Sequence, residues 1–318
     1  MSAEPTAAST PPPADPAGAG RNASSSAFAR LEALEVATDE GVTITVRVAP
    51  AEDPTAPVVL VLPAMAMKAK FYLPLVSALH GAGLSVATTD LRGQGEATPA
   101  LTRTARFGYR ELVEVDLPAV VRAVTARFPG SPLYLFGHSL GGQLALLHTA
   151  RDPESVAGVC LIGTGSVWFR SFGSRWFEAL WKIQAIGLQA WVAGHWPGGM
   201  LIGGPMAGRV MTDWARHSRT GRYQPAGTRV PYDRLLRRLE RPLLVMSLDE
   251  DTLGPRSTVD HLCTRVPAAE VTRLHLDAAS GVRHRDHFAW VKDSDVIGPM
   301  AAAWITGGRL PTGGVIAR

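Results

Sequence analysis

The segment Leu133–Gly142, LYLFGHSLGG, constrains the fold more than any other part of this 318-residue chain. It begins with an apolar run of strand length and ends in residues with helical apolar spacing. Between them lies a Gly-x-Ser-x-Gly turn formed by Gly137, Ser139 and Gly141. The glycines allow strand and helix to approach closely, and the turn raises the serine above the sheet edge. Ser139 then lies at a helix N-terminus, which favours developing negative charge, so it is the candidate nucleophile.

Strands and helices alternate along the chain on both sides of this turn. An antiparallel hairpin comes first, because a turn signal at 39–41 joins two segments with strand periodicity. Continuous apolar runs such as Val58–Leu62 are typical of strands buried on both faces of a parallel sheet. The pattern predicts an α/β fold with a mostly parallel eight-stranded sheet and helices on both faces. The predicted strands are 31–38, 42–48, 58–62, 84–89, 133–136, 156–162, 243–246 and 270–276, and the predicted helices are 69–80, 109–128, 142–150 and one that starts near His287.

The alternation stops between about residues 165 and 240, where no clear strand is found. This segment holds six of the eight tryptophans. We interpret 165–240 as a helical cap inserted into a core domain formed by 29–164 and 241–318. Residues 1–28 are rich in Ala, Pro, Ser and Thr and have almost no large apolar side chains, so we expect a disordered tail.

Composition limits the cofactors and partners. The net charge is only +4, and the Lys and Arg residues are scattered, so no nucleic-acid partner is predicted. Cys160 and Cys263 form neither a disulfide framework nor a metal site, and no cofactor is predicted. The sequence contains neither a run of 18 apolar residues nor a signal-peptide core, so we expect a cytoplasmic protein without a membrane span. The sequence predicts no particular oligomeric state.

A serine nucleophile needs a histidine base. In folds built on this turn the chain order is serine, acid, histidine, so the base follows the last strand. His275 falls inside that strand, whereas His284 and His287 follow it. We favour His287, which begins the predicted last helix, and keep His284 as the alternative.

The base in turn needs a carboxylate that fixes its tautomer. The loop after strand 243–246 offers Asp249, Glu250 and Asp251. Asp251, with a proline four residues later, is favoured, and the other two acids stay open. An oxyanion hole requires two backbone donors. We expect them to be the amides of Leu140, directly after the nucleophile, and Met65, after strand 58–62.

Together these residues resemble the α/β-hydrolase superfamily over roughly residues 30–305. Asp90–Glu96, Asp251–Pro255 and His287–Trp290 are similar to its Asp-x-Arg-Gly-x-Gly, acid and histidine loops. The resemblance implies nucleophile, acid and base roles for positions 139, 251 and 287. It lies nearest a bacterial serine-hydrolase branch of the serine aminopeptidase and lysophospholipase type. Pro63-Ala64 replaces the usual His-Gly, and Asp286 replaces a glycine and is placed to compete for the histidine.

The leading hypothesis is hydrolysis of a small-molecule ester or thioester through an acyl-serine intermediate. Acyl transfer to another acceptor by the same residues is the alternative, and a ligand-binding protein without catalysis is the third. Within the cap, Glu178 and Asp213 are possible anchors for a free amino terminus. We also expect one of four cap arginines to point into the site and bind an anionic substrate tail; these are Arg209, Arg216, Arg219 and Arg222.

Overall fold

The computed structural model describes residues 26–199, 201–307 and 310. Most of the predicted tail, residues 1–25, therefore lies outside the described residues. Phe28 falls within the predicted tail but is buried, with the Arg47 guanidinium 5.8 Å from its ring centroid. The packed part of the chain thus begins before residue 29.

An eight-stranded sheet forms the centre of the molecule, in the order β1-β2-β4-β3-β5-β6-β9-β10. The strand β2 is antiparallel to both of its neighbours, and the remaining pairs are parallel. This confirms the predicted fold class. The strands of this sheet are β1 Glu32–Ala37, β2 Thr43–Ala49, β3 Val58–Leu62, β4 Ser85–Thr89, β5 Leu133–His138, β6 Gly158–Ile162, β9 Leu243–Leu248 and β10 Val271–Leu276. Two further strands, β7 His195–Trp196 and β8 Met206–Ala207, pair with each other outside it.

Helices cover both faces of the sheet, as the buried runs require. In β3, Val58, Leu60 and Leu62 join one hydrophobic core, and Val59 and Val61 join the other. The helices α3 and α4 pack on the first face, and α1 and α9 on the second. The helices are α1 Leu73–Gly81, α2 Tyr109–Glu111, α3 Leu117–Arg127, α4 Leu140–Arg151, α5 Trp176–Ala193, α6 Gly208–Thr220, α7 Tyr232–Leu236, α8 Arg256–Cys263 and α9 Ser294–Ile305.

Some predicted helices differ from the observed elements at their ends. A 3₁₀ turn, Ala69–Tyr72, precedes α1, and a π turn, Leu112–Asp116, separates α2 from α3. The last helix begins at Ser294 rather than near His287, after a 3₁₀ segment, Ala289–Asp293. Near that point the Asp286 carboxylate accepts hydrogen bonds from the amides of Phe288 and Ala289, a turn that leads into this 3₁₀ segment.

Residues 165–240 lie between β6 and β9. They contain α5, α6, α7 and a 3₁₀ segment, Phe169–Arg175, together with the two-residue strands β7 and β8. The short β7–β8 pair is a feature that the sequence pattern did not predict, because two residues are too few to show a period. The division of the chain into core and cap stays a prediction.

Close packing between β3 and the start of α4 leads to a first prediction. A Cβ at Gly141 would lie 2.3 Å from the Leu62 carbonyl oxygen, which cannot move without disturbing β3. Gly141→Ala is therefore expected to lower the free energy of unfolding by about 3 kcal/mol or more, measured by urea denaturation. Gly81→Ala is the control, because nothing lies within 4 Å of its Cβ position. Equal stability of the two variants would contradict the tight turn.

Candidate active site

Ser139 lies between β5 and α4, where the chain changes from strand to helix. Its backbone is in an unusual conformation, with φ of 52° and ψ of −114°. The turn brings Gly137 and Gly142 into contact, and it requires a glycine at position 137 because a Cβ there would lie 2.3 Å from the Gly142 Cα. The serine side chain makes no cap hydrogen bond with α4, so its hydroxyl is free to interact with the histidine loop.

A chain of two hydrogen bonds leads away from the Ser139 hydroxyl. His287 Nε2 lies 3.0 Å from Ser139 Oγ, and His287 Nδ1 lies 2.7 Å from Asp251 Oδ2. The Asp251 side chain is fully buried and His287 nearly so. The structure therefore brings together the three residues that the sequence analysis placed at the nucleophile, base and acid positions.

The loop after β9 distinguishes the three candidate acids. Asp251 Oδ1 accepts hydrogen bonds from the amides of Leu253 and Gly254 at 2.8 and 2.7 Å, which holds the carboxylate under the histidine. Asp249 and Glu250 are half exposed. They pair with His275 and Arg285, respectively, on the outside of the sheet edge.

The alternative base, His284, lies away from the serine. Its Nδ1 is 3.0 Å from a carboxylate oxygen of Asp293, which also accepts the His284 amide. Asp286 does not compete for His287, because its carboxylate accepts the amides of Phe288 and Ala289. Burial raises the pKa of Asp286, but these two amides, together with the charges of His287 and Lys292, shift it downward overall.

The loop after β3 carries the expected second oxyanion donor. Ala64, Met65 and Leu140 line the same pocket as Ser139. The Ala64 amide donates to the Tyr72 hydroxyl at 2.9 Å. Within the described part of the chain, we find no hydrogen bond donated by the amides of Met65 and Leu140. Both amides therefore remain available to a ligand in the pocket.

A buried network supports this loop, and the sequence analysis missed it. The Tyr72 hydroxyl lies 2.7 Å from His138 Nδ1, and Trp290 Nε1 donates to His138 Nε2 at 3.4 Å. Burial, and then the neighbouring His287, hold the pKa of His138 well below its usual value. A neutral His138 thus anchors Tyr72, and Tyr72 anchors the Ala64 amide. No local pattern in the sequence indicates these contacts.

The pocket above Ser139 has an empty volume of about 890 Å³, including the part that opens to solvent. Half of the residues that line it belong to 165–240, and most of these are apolar, including Val167, Phe172, Ile183, Ile202 and Trp214. Residues 165–240 therefore form part of the site.

Charged groups line the pocket at one place, on and just before α5. Glu178 lies 2.5 Å from Lys182 Nζ and 3.1 Å from Arg175 Nε. Hydrogen bonds from Lys182 and Arg175 lower the pKa of Glu178 to about 2. At least one of Arg209, Arg216, Arg219 and Arg222 was expected in the site, but none of them lines the pocket, and the arginine that does is Arg175. Asp213 is buried outside the pocket, where it accepts the amides of Tyr109 and Ala226.

Within residues 26–199, 201–307 and 310, no cluster of three or more His, Cys, Asp or Glu side chains is arranged to hold a metal ion. No helix in the same ranges is long and apolar enough to cross a membrane.

Comparison with known proteins gives a family and a distant relative. Residues 53–213, half of the chain, match the family model described as serine aminopeptidase, S33. Human monoglyceride lipase is 32% identical over 91 residues. That match spans 29% of this chain and 29% of the lipase.

Solved structures share the fold over nearly their full length. A putative lipase from Acinetobacter baumannii superposes with a TM-score of 0.61 and 14% identity, covering 90% of this chain and 95% of that protein. Est1E from Butyrivibrio proteoclasticus, with ferulic acid bound, gives a TM-score of 0.59 and 11% identity, covering 86% of this chain and 98% of that protein. At these identities the likeness concerns the fold alone.

Proposed function

The chain belongs to the serine aminopeptidase S33 family of α/β-hydrolases, and we propose that it hydrolyses carboxylic esters or thioesters through an acyl intermediate on Ser139. The observation that carries this proposal is the hydrogen-bonded series Ser139, His287 and Asp251, at 3.0 and 2.7 Å. A serine hydroxyl within reach of an imidazole oriented by a buried carboxylate is the arrangement that nucleophilic acyl transfer requires.

In the proposed reaction, Ser139 Oγ attacks the acyl carbonyl and His287 Nε2 takes the serine proton. The carbonyl oxygen becomes an oxyanion, which the amides of Met65 and Leu140 stabilise together with the N-terminus of α4. His287 then protonates the leaving alcohol or thiol as the carbonyl–heteroatom bond breaks. His287 then takes a proton from water, which attacks the acyl carbon; as the bond from that carbon to Ser139 Oγ breaks, His287 returns the proton to Oγ and the acid leaves. Asp251 stays ionised and stabilises the imidazolium in each half-reaction.

Two features of the pocket favour an uncharged acyl group over a peptide with a free amino terminus. The apolar side chains from residues 165–240 suit a hydrocarbon chain. The carboxylate that lines the pocket, Glu178, is already paired with Lys182 and Arg175. An ammonium group would have to displace one of these cations, so Glu178 is poorly suited to anchor it.

A fluorophosphonate, which reacts with an activated serine, tests the proposal directly. We expect labelling of the wild type and none of Ser139→Ala or His287→Ala. His284→Ala is the matched control and is expected to label like the wild type, because His284 pairs with Asp293. A panel of esters and thioesters of increasing acyl length then tests the substrate class. A folded wild type that neither labels nor hydrolyses any member would overturn the proposal.

The network behind the oxyanion loop gives a separate prediction. Tyr72→Phe removes the acceptor of the Ala64 amide, so the loop that carries the Met65 amide is held less firmly. We expect kcat for an ester to fall about tenfold with little change in KM, because the loss concerns transition-state stabilisation. Tyr134→Phe is the control, since its hydroxyl donates to the Ile305 carbonyl, far along the sheet. A rise in KM at constant kcat would contradict a role in positioning the loop.

A further inference from the structure

The large hydrophobic side chains that are exposed in the described ranges all lie on one helix. They belong to α5 and include Phe177 and Leu188, each 62% exposed, and Trp191 and Val192, at 71% and 72%. Trp176 and Trp181 are each 45% exposed. Single exposed apolar residues are ordinary, but a contiguous group of this size indicates an interaction site.

Helical geometry places most of these residues on one stripe. Positions 177, 181, 188, 191 and 192 follow one another at steps of four, seven, and then three or four residues, the spacing that brings side chains to one side of a helix. The opposite face of α5 is already used: Ala179, Ile183 and Ala190 are buried. The helix is therefore apolar on two sides, whereas a surface helix of a soluble protein is usually polar on its outer side. The outer stripe needs a partner.

Charge indicates which partner fits. Residues 165–240 contain eleven Lys and Arg against four Asp and Glu, a net charge of +7, although the whole chain carries only +4. Two copies that met symmetrically through α5 would bring two such positive segments together. A surface of anionic lipid headgroups has the opposite charge. Tryptophans beside Arg and Lys are also the composition that binds the bilayer interface.

We propose that the outer stripe of α5 docks this protein on the surface of an anionic lipid bilayer without crossing it. The apolar side chains enter the boundary between headgroups and acyl chains, and Arg170, an exposed cation just before α5, remains near the headgroups. The inner face of α5 contributes Ala179 and Ile183 to the pocket wall. Docking therefore holds the pocket about 10 Å, one helix diameter, from the lipid. This inference does not depend on the proposed hydrolysis.

Flotation of the full chain with vesicles tests the docking. Vesicles of phosphatidylcholine containing phosphatidylglycerol are compared with vesicles of phosphatidylcholine alone. The wild type is expected to float with the anionic vesicles, less so at high salt. Leu188→Glu and Trp191→Glu are each expected to weaken this binding about tenfold or more. Gln189→Glu, which adds the same charge at another exposed position of α5, is the matched control and is expected to change it by less than about twofold.

Three results would overturn the proposal. The wild type could stay in solution beside anionic vesicles at low salt, or the Leu188 and Trp191 variants could bind like the Gln189 variant. Sedimentation equilibrium could instead reveal a dimer that Leu188→Glu converts to monomer, which would make the stripe a contact between copies. Hydrolysis of a short water-soluble ester is followed in parallel and is expected to be unchanged in all three variants. Absence of hydrolysis together with vesicle binding would reject the proposed function and leave the docking intact.

Discussion

Ser139→Ala is expected to lower kcat for ester hydrolysis by about 10⁴-fold or more while the protein stays folded. Alanine removes the only atom that would attack the carbonyl and leaves the imidazole with nothing to deprotonate. The fold should tolerate the change, because the Ser139 side chain makes no cap hydrogen bond and alanine has the same Cβ. The measurement is single-turnover and steady-state hydrolysis of a chromogenic ester by protein whose circular dichroism matches the wild type.

Ser257→Ala serves as the matched control, since Ser257 is an exposed serine on α8. It is expected to leave kcat and KM unchanged within error. The decisive comparison is with the rate at which the ester hydrolyses without enzyme. A Ser139→Ala protein that keeps a tenth or more of the wild-type kcat would mean that another group, or a directly activated water, carries the reaction. The acyl-serine mechanism would then be wrong even if the family assignment stands.

The fold could be predicted because its signals are local. A strand buried on both faces must be apolar at every position, so Val58–Leu62 is recognisable without knowledge of its neighbours. The turn at Ser139 is equally local, because the close contact between Gly137 and Gly142 forbids side chains there. Both features belong to a few consecutive residues, and both appear in the structure where the sequence placed them.

The site was harder to predict from the sequence than the fold, because it depends on contacts between residues that are far apart along the chain. Tyr72 and His138 are 66 residues apart, and nothing in either local sequence indicates that they meet. The position of Arg175 instead of the expected arginines follows from the orientation of α5 and α6 on the core. Similarly, the sequence of α5 is apolar throughout, but only the packed structure reveals which of its faces is covered.

The inserted segment gives one helix two roles. The inner face of α5 lines the pocket and carries Glu178 and Lys182, and its outer face exposes the apolar stripe. A substrate with a long acyl chain partitions into bilayers, where its concentration greatly exceeds that in water. A pocket that is apolar and held one helix away from lipid would therefore meet such a substrate at its source. The proposed function and the proposed docking rest on different residues, yet they favour the same class of substrate.

Asp251→Asn is expected to lower kcat by about 10⁴-fold, nearly as much as loss of the nucleophile, although the substitution keeps the shape of the side chain. The buried Asp251 carboxylate faces His287 Nδ1 at 2.7 Å and also accepts two backbone amides. An asparagine can keep its oxygen toward those amides, and its NH₂ group then points at Nδ1. The ring would have to place its proton on Nε2, where it can no longer accept the Ser139 proton.

The neighbouring acids provide two matched controls within the same loop. Asp249→Asn and Glu250→Gln remove the same charge from groups that are half exposed and pair with His275 and Arg285. Each is expected to change kcat by less than about threefold, because charges that are half exposed to solvent and do not contact His287 contribute little. Hydrolysis of one ester by all four proteins at neutral pH is the measurement. Equal losses in the three variants would mean that the loop acts through its total charge; a large loss at position 249 or 250 alone would move the acid role to that residue.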